Sequence, residues 1–266
     1  MPVFTRDHSQ LFYETHGPED APPLLLCNGI GFSNWSWWRQ IPDLSRFLRV
    51  VAFDNRGSGG SPWNGRPFSV EDLADDAAAV LEELGIAKAH VLGISMGGFI
   101  AQELALRHPD RLLSLNLGCT HCGAPEAVFM EAEVARRMTD LARLGWTNES
   151  VTASLDLNFS PELIQADPDF MQTYVELRVK HAPASEGWMA QRESSLRWRS
   201  FPRLGQIQVP TRILHGEDDP VVPVRNAQIL VEAIPGARLQ LWPGRHGFFL
   251  ERAAEVNAFL EQALRG

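Results

Sequence analysis

Cysteines, long apolar runs and positive charge are all scarce in this sequence. The chain has three cysteines among 266 residues, Cys27, Cys119 and Cys122, and an odd number without a paired framework is typical of a reducing compartment. Residues 1–7 lack the apolar stretch of a signal peptide, and no window approaches the roughly 18 apolar residues of a membrane span. We therefore expect a cytoplasmic protein that does not insert into a membrane.

Negative charge exceeds positive charge, with 33 Asp and Glu residues against 24 Lys and Arg residues and a formal net charge of −9. Proteins that bind nucleic acids or anionic membranes usually carry a basic patch, so this balance disfavours both classes of partner. We expect a small-molecule substrate instead. Cys119, His121 and Cys122 lie close together, but three ligands without a distant second pair fall short of a zinc set, so we expect no metal site.

Short apolar runs alternate with helical patterns over residues 10–120. The runs at 24–27, 49–53, 89–94 and 112–117 are continuous, as in parallel strands that are buried on both faces. The clearest helical pattern extends over residues 70–84, with Ser69 as a predicted N-cap and Gly85 as a stop signal. This alternation predicts an α/β fold with a doubly wound, mostly parallel sheet.

The alternation stops between residues 123 and 205 and resumes at Thr211. The interrupted segment contains three helical patterns, at 128–144, 169–179 and 188–198, and no convincing strand. An insertion of this kind, placed between two strands of the sheet, predicts a lid over a site at the sheet's edge. We therefore expect a core domain of residues 1–122 and 206–266 with an inserted helical lid of residues 123–205.

The pentapeptide at 93–97 has the sequence G-I-S-M-G, between an apolar strand and an apolar helix. A serine at such a strand-to-helix turn has a strained backbone, and its hydroxyl projects above the sheet. The flanking glycines are required because a Cβ there would collide with the neighbouring strand or helix. We predict that Ser95 is a nucleophile. A serine hydroxyl is a poor nucleophile without a base, so the prediction requires a histidine and an acid elsewhere in the chain.

Both of these residue types follow later strands. Of the eight histidines, His246 is the one in a glycine-flanked loop after the last predicted strand, from which its ring can reach Ser95. Asp219 follows the strand that begins at Thr211, and we expect it to orient the imidazole and stabilise its protonated form. The neighbouring acidic residues at 217 and 218 are alternative candidates for that role.

Ester cleavage by a serine also needs two N–H donors for the oxyanion. One candidate is the N–H of Met96, directly after the predicted nucleophile and at the start of its helix. The other is the N–H of Ile30, in the glycine-containing loop after the strand at 24–27. Four further residues are candidates for the substrate pocket: Asn28, Gly29, His121 and Trp188.

Taken together, these motifs resemble the α/β-hydrolase superfamily over nearly the whole chain, and the order Ser, Asp, His is the order of that superfamily. The chain is similar to its branch of esterases, enol-lactonases, perhydrolases and C–C hydrolases with a small lid. The resemblance rests on segments 28–31, 54–59, 93–98, 216–223 and 244–251. It implies hydrolysis of a carboxylic ester through an acyl-enzyme on Ser95, with no cofactor.

The resemblance leaves other reactions open. An enol-lactonase or a C–C bond hydrolase would use the same residues, and a perhydrolase or a non-hydrolytic binding protein can share the fold. Asn28 replaces the usual histidine, while Ile30 stands where perhydrolases often have an aromatic residue, which disfavours that class. Some hydrolases carry the acid one strand earlier, but Cys119 and Thr120 occupy that place here. Because the insertion is rich in aromatic residues, we expect short-to-medium, mainly uncharged acyl substrates.

Overall fold

Eight strands form one sheet in the computed structural model, which describes residues 2–265. The strands are β1 (Val3–Arg6), β2 (Ser9–His16), β3 (Pro23–Cys27), β4 (Arg49–Phe53), β5 (Ala89–Ile94), β6 (Leu112–Gly118), β7 (Thr211–Gly216) and β8 (Arg238–Trp242). Their spatial order is β1-β2-β4-β3-β5-β6-β7-β8. The β1–β2 and β2–β4 pairs are antiparallel, and all other pairs are parallel. The predicted doubly wound, mostly parallel sheet is confirmed, with an additional antiparallel edge.

Helices cover both faces of this sheet. In chain order they are α1 (Ile41–Leu44), α2 (Val70–Glu83), α3 (Met96–Arg107), α4 (Ala132–Arg143), α5 (Asn148–Thr152), α6 (Leu155–Asn158), α7 (Pro161–Ala166), α8 (Pro168–Lys180), α9 (Ser185–Arg197), α10 (Arg225–Ala233), α11 (Phe248–Glu251) and α12 (Ala253–Leu264). Short 3₁₀ turns occur at Asn34–Trp37, Pro109–Arg111 and Phe201–Gln206. Within residues 2–265, none of these helices has both the length and the apolar character needed to cross a membrane.

The apolar runs form strands in which every buried apolar side chain packs in one of two apolar clusters, one on each face of the sheet. Along β3, Leu25 and Cys27 join the apolar cluster on the face covered by α2 and α3. Leu24 and Leu26 join the cluster on the opposite face, with α1 and α12. All four side chains are fully buried. Successive side chains of a strand point to opposite faces, so a strand between two helix layers has to be apolar at every position.

Helix α2 begins and ends where the sequence predicts. The Ser69 hydroxyl accepts a hydrogen bond from the Asp72 N–H at 3.2 Å, and the Asp72 carboxylate accepts one from the Ser69 N–H at 2.8 Å. This reciprocal pair satisfies N–H groups that have no partner inside the helix. Gly85 follows the last turn with φ of +66°, a conformation that favours glycine.

Six helices, α4 to α9, lie between β6 and β7. The three predicted patterns correspond to α4, α8 and α9, although α4 begins at Ala132 rather than at residue 128. Helices α5, α6 and α7 lie outside the sequence prediction, because four to six residues are too few to show a helical period. Val151 of α5 and Leu155 of α6, together with the adjacent Phe159, extend the apolar cluster on the α1 and α12 face of the sheet. The boundaries of a separate lid domain at 123 and 205 stay a prediction.

Candidate active site

Ser95 lies at the sharp turn between β5 and α3. Its backbone has φ of +56° and ψ of −119°, a combination that residues other than glycine rarely adopt. The turn is held by hydrogen bonds from the Ser95 N–H to Gly118 O at 2.9 Å and from the Thr120 hydroxyl to Ser95 O at 2.8 Å. A Cβ on Gly93 would collide with the backbone of Gly97, and a Cβ on Gly97 would collide with the backbone of Cys27 and Asn28 at the end of β3. Both glycines therefore allow the close approach on which the turn depends.

The loops after β7 and β8 bring Asp219 and His246 together. Oδ2 of Asp219 lies 2.8 Å from Nδ1 of His246. The Asp219 side chain is buried, whereas Glu217 and Asp218 are both exposed. Of the three acidic residues in this turn, Asp219 is thus the one that contacts the imidazole.

Backbone donors and a second histidine surround the Asp219 carboxylate. Oδ1 accepts hydrogen bonds from the N–H groups of Val221 and Val222 at 2.8 and 2.9 Å. Nε2 of the buried His215 lies 2.8 Å from Val222 O and 3.5 Å from Oδ2 of Asp219. Burial opposes ionisation of Asp219, but the charge of His246 and the hydrogen bonds from both histidines outweigh it and lower the pKa of Asp219 to about 2. The carboxylate is therefore ionised at neutral pH.

The pKa of His246 is shifted upwards, opposite to that of Asp219. Burial disfavours its protonated form, but the negative charge of Asp219, the neighbouring Cys119 and the hydrogen bonds to both residues outweigh burial and place the pKa of His246 well above its ordinary value. Because Nδ1 faces Asp219, Nε2 is on the side of the ring that faces away from the carboxylate. Ser95 and His246 line the same cavity, and within residues 2–265 no hydrogen bond joins their side chains. Such bonds are often long before substrate binds.

Cys119, which follows the neighbouring strand β6, also approaches this pair. Its sulfur lies within 4.8 Å of a carboxylate oxygen of Asp219 and of a ring nitrogen of His246. The side chain is fully buried, and burial raises the pKa of the thiol. The thiol thus stays protonated at neutral pH, beside the imidazole rather than together with His121 and Cys122.

The two predicted oxyanion donors belong to the start of α3 and to the loop after β3. Met96 is the first residue of α3, and its N–H has no partner within the helix. The Ile30 N–H has no acceptor among residues 2–265, and the Ile30 side chain lines the cavity with Ser95. The next residue, Gly31, is held at both ends by the insertion: its N–H donates to Gln191 Oε1 and its O accepts from Arg178 Nη1, both at 2.7 Å.

Gln191 is a residue that sequence reasoning missed. It is fully buried in α9, and its Nε2 also donates to Arg56 O at 2.8 Å and Ser58 Oγ at 2.7 Å. One amide therefore joins the loop after β3, the loop after β4 and the insertion. A glutamine in a helix usually faces solvent, and nothing in the local pattern distinguishes this one.

A cavity of about 190 Å³ lies between Ser95 and the insertion. Gly29 and Trp188, two of the four pocket candidates, line it. Asn28 and His121, the other two pocket candidates, do not line this cavity. The Asn28 amide is buried, donating to Phe53 O at 2.6 Å and accepting from the Ser36 hydroxyl at 3.0 Å. The His121 ring packs on Phe99 instead, with ring centroids 4.6 Å apart.

Comparison with known proteins agrees with this geometry. The family described as the α/β hydrolase fold matches residues 22–253, most of the chain. The chain belongs to the α/β-hydrolase fold family. Family membership supports hydrolysis as the type of reaction.

Two relatives and one solved structure are similar to this chain over nearly its whole length. The chain is 31% identical over 264 residues to a poly(3-hydroxyalkanoate) depolymerase of Ectopseudomonas oleovorans, covering 94% of this chain and 86% of that protein. It is 28% identical over 274 residues to 3-oxoadipate enol-lactonase 2 of Acinetobacter baylyi, covering 100% and 99%. The crystal structure of an enol-lactonase from Burkholderia xenovorans superposes with a TM-score of 0.86 at 27% identity, covering both chains completely.

Proposed function

We propose that this α/β hydrolase cleaves carboxylic esters through an acyl-enzyme on Ser95, with His246 as general base and Asp219 as the acid that orients it. One observation carries the proposal. Ser95, in its strained turn, lines the same cavity as His246, whose Nδ1 lies 2.8 Å from a buried carboxylate. A nucleophile, a base and an orienting acid at one edge of the sheet are the parts that acyl transfer requires.

In the acylation step, Ser95 Oγ attacks the carbonyl carbon of the ester and its proton passes to Nε2 of His246. The negative charge that develops on the carbonyl oxygen is stabilised by the N–H groups of Ile30 and Met96. His246 then gives the proton to the leaving alcohol as the C–O bond breaks. A water molecule then attacks the acyl carbon and loses a proton to His246. As the bond between the acyl carbon and Ser95 Oγ breaks, His246 returns that proton to Oγ and the carboxylic acid leaves.

We further propose that residues 123–205 act as the lid of this site. The insertion supplies much of the cavity wall, including Trp146, Leu157, Tyr174 and Trp188. A mainly apolar wall next to Ser95 favours an apolar acyl chain. A cavity of about 150 Å³ holds one benzene molecule, so the 190 Å³ here has room for about six to eight carbon atoms.

We therefore expect kcat/KM for neutral p-nitrophenyl esters to rise from acetate towards hexanoate and to fall for longer chains. Each buried CH₂ contributes about 0.8 kcal/mol, or nearly fourfold, until the cavity is full. A series of acyl lengths assayed at one pH would measure this. Equal rates for acetate and hexanoate would contradict the assignment of this cavity as the acyl pocket.

The end-to-end matches with two enol-lactonases favour one second candidate. An enol-lactone is a cyclic enol ester, and the same attack by Ser95 would open its ring. A C–C bond hydrolase would need the same residues with a diketone substrate. An enol-lactone and a vinylogous diketone, assayed beside the ester series, distinguish the three reactions by their relative kcat/KM values.

The rate is expected to depend on the protonation of His246. The imidazole must be neutral to accept the Ser95 proton, so kcat/KM should rise with pH as His246 loses its proton. Because Asp219 raises the pKa of His246, the midpoint of this rise should lie above the ordinary histidine value of 6.5. A pH profile on a neutral ester would measure the midpoint, and a rate that falls as pH rises through this range would contradict the role of His246 as base.

A further inference from the structure

The cavity next to Ser95 contains one basic side chain besides His246. Within residues 2–265, Arg178 of α8 is the only Lys or Arg in its wall, and no Asp or Glu lines it. The Arg178 side chain is 3% exposed. Its guanidinium carbon lies 3.8 Å from the ring centroid of Trp146 and 4.3 Å from that of Phe32, and both rings line the same cavity. A buried cation is thus part of an otherwise mainly apolar wall.

In the described part of the chain, no negatively charged group pairs with this cation. Nη1 of Arg178 donates to Gly31 O at 2.7 Å, and in the described part of the chain this is its one hydrogen bond. No carboxylate oxygen of residues 2–265 lies within 4.0 Å of its nitrogens. Burial lowers the pKa of Arg178 to about 10, so the group is still charged at neutral pH. Buried charges are normally paired, because an isolated one costs several kcal/mol.

A guanidinium has five N–H donors, and one carbonyl oxygen uses one of them. Contacts with Trp146 and Phe32 offset part of the cost of burial through cation–π attraction. They leave the N–H groups in the guanidinium plane available, and this fork of donors matches a carboxylate in shape and charge. The anion that is missing from the protein can therefore come from the ligand.

We propose that Arg178 binds a free carboxylate of the substrate, so that the ester cleaved at Ser95 carries a second carboxyl group. This inference rests on the proposed function, since it describes the substrate of the same site. It leaves the chain beside Ser95 apolar and places a negative charge at one end of the molecule. Arg178 contacts Gly31, one residue beyond Ile30, so the carboxylate would lie on the side of the cavity formed by the oxyanion loop.

Matched substrates test the proposal on the enzyme itself. p-Nitrophenyl hydrogen adipate and p-nitrophenyl hexanoate have acyl chains of equal length and differ by a terminal carboxylate. Hexanoyl esters of 4-hydroxybutyrate and of butanol, followed by proton release, place the same difference on the alcohol side. We expect one of these anionic esters to exceed its neutral partner about 10- to 100-fold in kcat/KM, the scale of a charged hydrogen-bonded pair. No preference on either side would overturn the proposal.

Three variants test whether Arg178 causes the preference for the anionic ester. Arg178→Met should abolish the preference for the anionic ester, while Arg178→Lys should keep part of it. Arg192→Met removes the same charge from an exposed position of the insertion and should leave the preference unchanged. Arg178→Met also loses the hydrogen bond to Gly31 O. Any effect of that loss would slow the neutral and the anionic ester equally, so the rate on the neutral ester measures it. A preference that survives in Arg178→Met would overturn the assignment to Arg178.

Binding without turnover separates this proposal from the ester-hydrolase proposal. Ser95→Ala, titrated calorimetrically with glutarate and with glutaramide, should bind the dianion and not the diamide, and Arg178→Met in the same background should bind neither. If no ester is hydrolysed but glutarate still binds through Arg178, the anion site stands and the ester-hydrolase proposal is wrong. If esters are hydrolysed and glutarate does not bind, the ester-hydrolase proposal stands and the anion site is wrong.

Discussion

Replacing Ser95 with alanine is expected to lower kcat for ester hydrolysis by about six orders of magnitude, the scale measured when a serine protease loses its nucleophile. Without Oγ no acyl-enzyme can form, and neither His246 nor the oxyanion donors can replace it. Covalent labelling by a serine-directed phosphonate should disappear together with turnover. Mass spectrometry of the labelled wild-type protein should place the phosphonate on the peptide that contains Ser95.

Ser154→Ala is the matched control, because Ser154 lines the same cavity and its hydroxyl donates to Val151 O at 2.7 Å. Labelling and kcat should both survive that change. Phosphonate found on Ser154 or on any other serine would contradict the assignment of the nucleophile.

The strained turn adds a second measurement at the same position. Alanine at residue 95 must keep φ near +56°, whereas glycine adopts that region without a steric cost. Ser95→Gly should therefore unfold at a higher temperature than Ser95→Ala, by the equivalent of about 1 kcal/mol or more, since such a conformation costs on the order of 1–3 kcal/mol. Equal stabilities would mean that the turn relaxes once the hydroxyl is lost.

The sheet and the Ser95 turn could be predicted because their signals are local. Within about fifteen residues around Ser95, the sequence shows an apolar run followed by glycines and an apolar helix. The apolar side chains of that run pack in the clusters on both faces of the sheet. The α2 helix is similar, since its N-cap and its stop signal lie at its own ends. Short helices such as α5 and α6 are held mainly by contacts with distant residues, so their sequences carry little periodic signal.

Side-chain direction in the loops could not be predicted in the same way. Asn28 and His121 follow strands at the correct edge of the sheet, but the Asn28 amide bonds to Phe53 and the His121 ring packs on Phe99. These partners are more than twenty residues away along the chain. Gln191 is an extreme case, since its contact with Gly31 spans 160 residues. Spacing along a sequence places a residue at an edge, and long-range contacts decide what its side chain meets.

For the charged residues of the site too, sequence position predicts one part of the arrangement and packing decides another. The pairing of Asp219 with His246 follows from two strand ends that parallel topology brings to one edge. The sequence favours Asp219 over the adjacent Asp218, and the two differ in the structure because Asp219 is buried and contacts His246 whereas Asp218 is exposed. A burial difference of that kind arises from the packing of the loop around Val221 and Val222, whose N–H groups hold the Asp219 carboxylate in place.

Asp219→Asn is expected to lower kcat by about 10⁴, the scale known for a serine protease whose histidine is held in the wrong tautomer. Oδ1 of an asparagine can still accept from the N–H groups of Val221 and Val222, so the loop should keep its shape. Its NH₂ group would then face Nδ1 of His246 and would require the proton to move to Nε2, which could no longer accept the proton of Ser95. The loss should appear in kcat on every ester, with KM little changed.

Asp218→Asn provides the control, since it removes the same charge one residue away from an exposed position. Solvent screens an exposed charge, so that variant should keep nearly the full kcat and an unchanged pH profile. Asp219→Asn should instead move the midpoint of the residual pH profile to lower pH, because the charge that raises the pKa of His246 is gone. Asp218 would be the orienting acid if the two variants showed the reverse behaviour, and a loss of kcat in Asp219→Asn without a shift in the midpoint would indicate that the residue supports the loop rather than the imidazole.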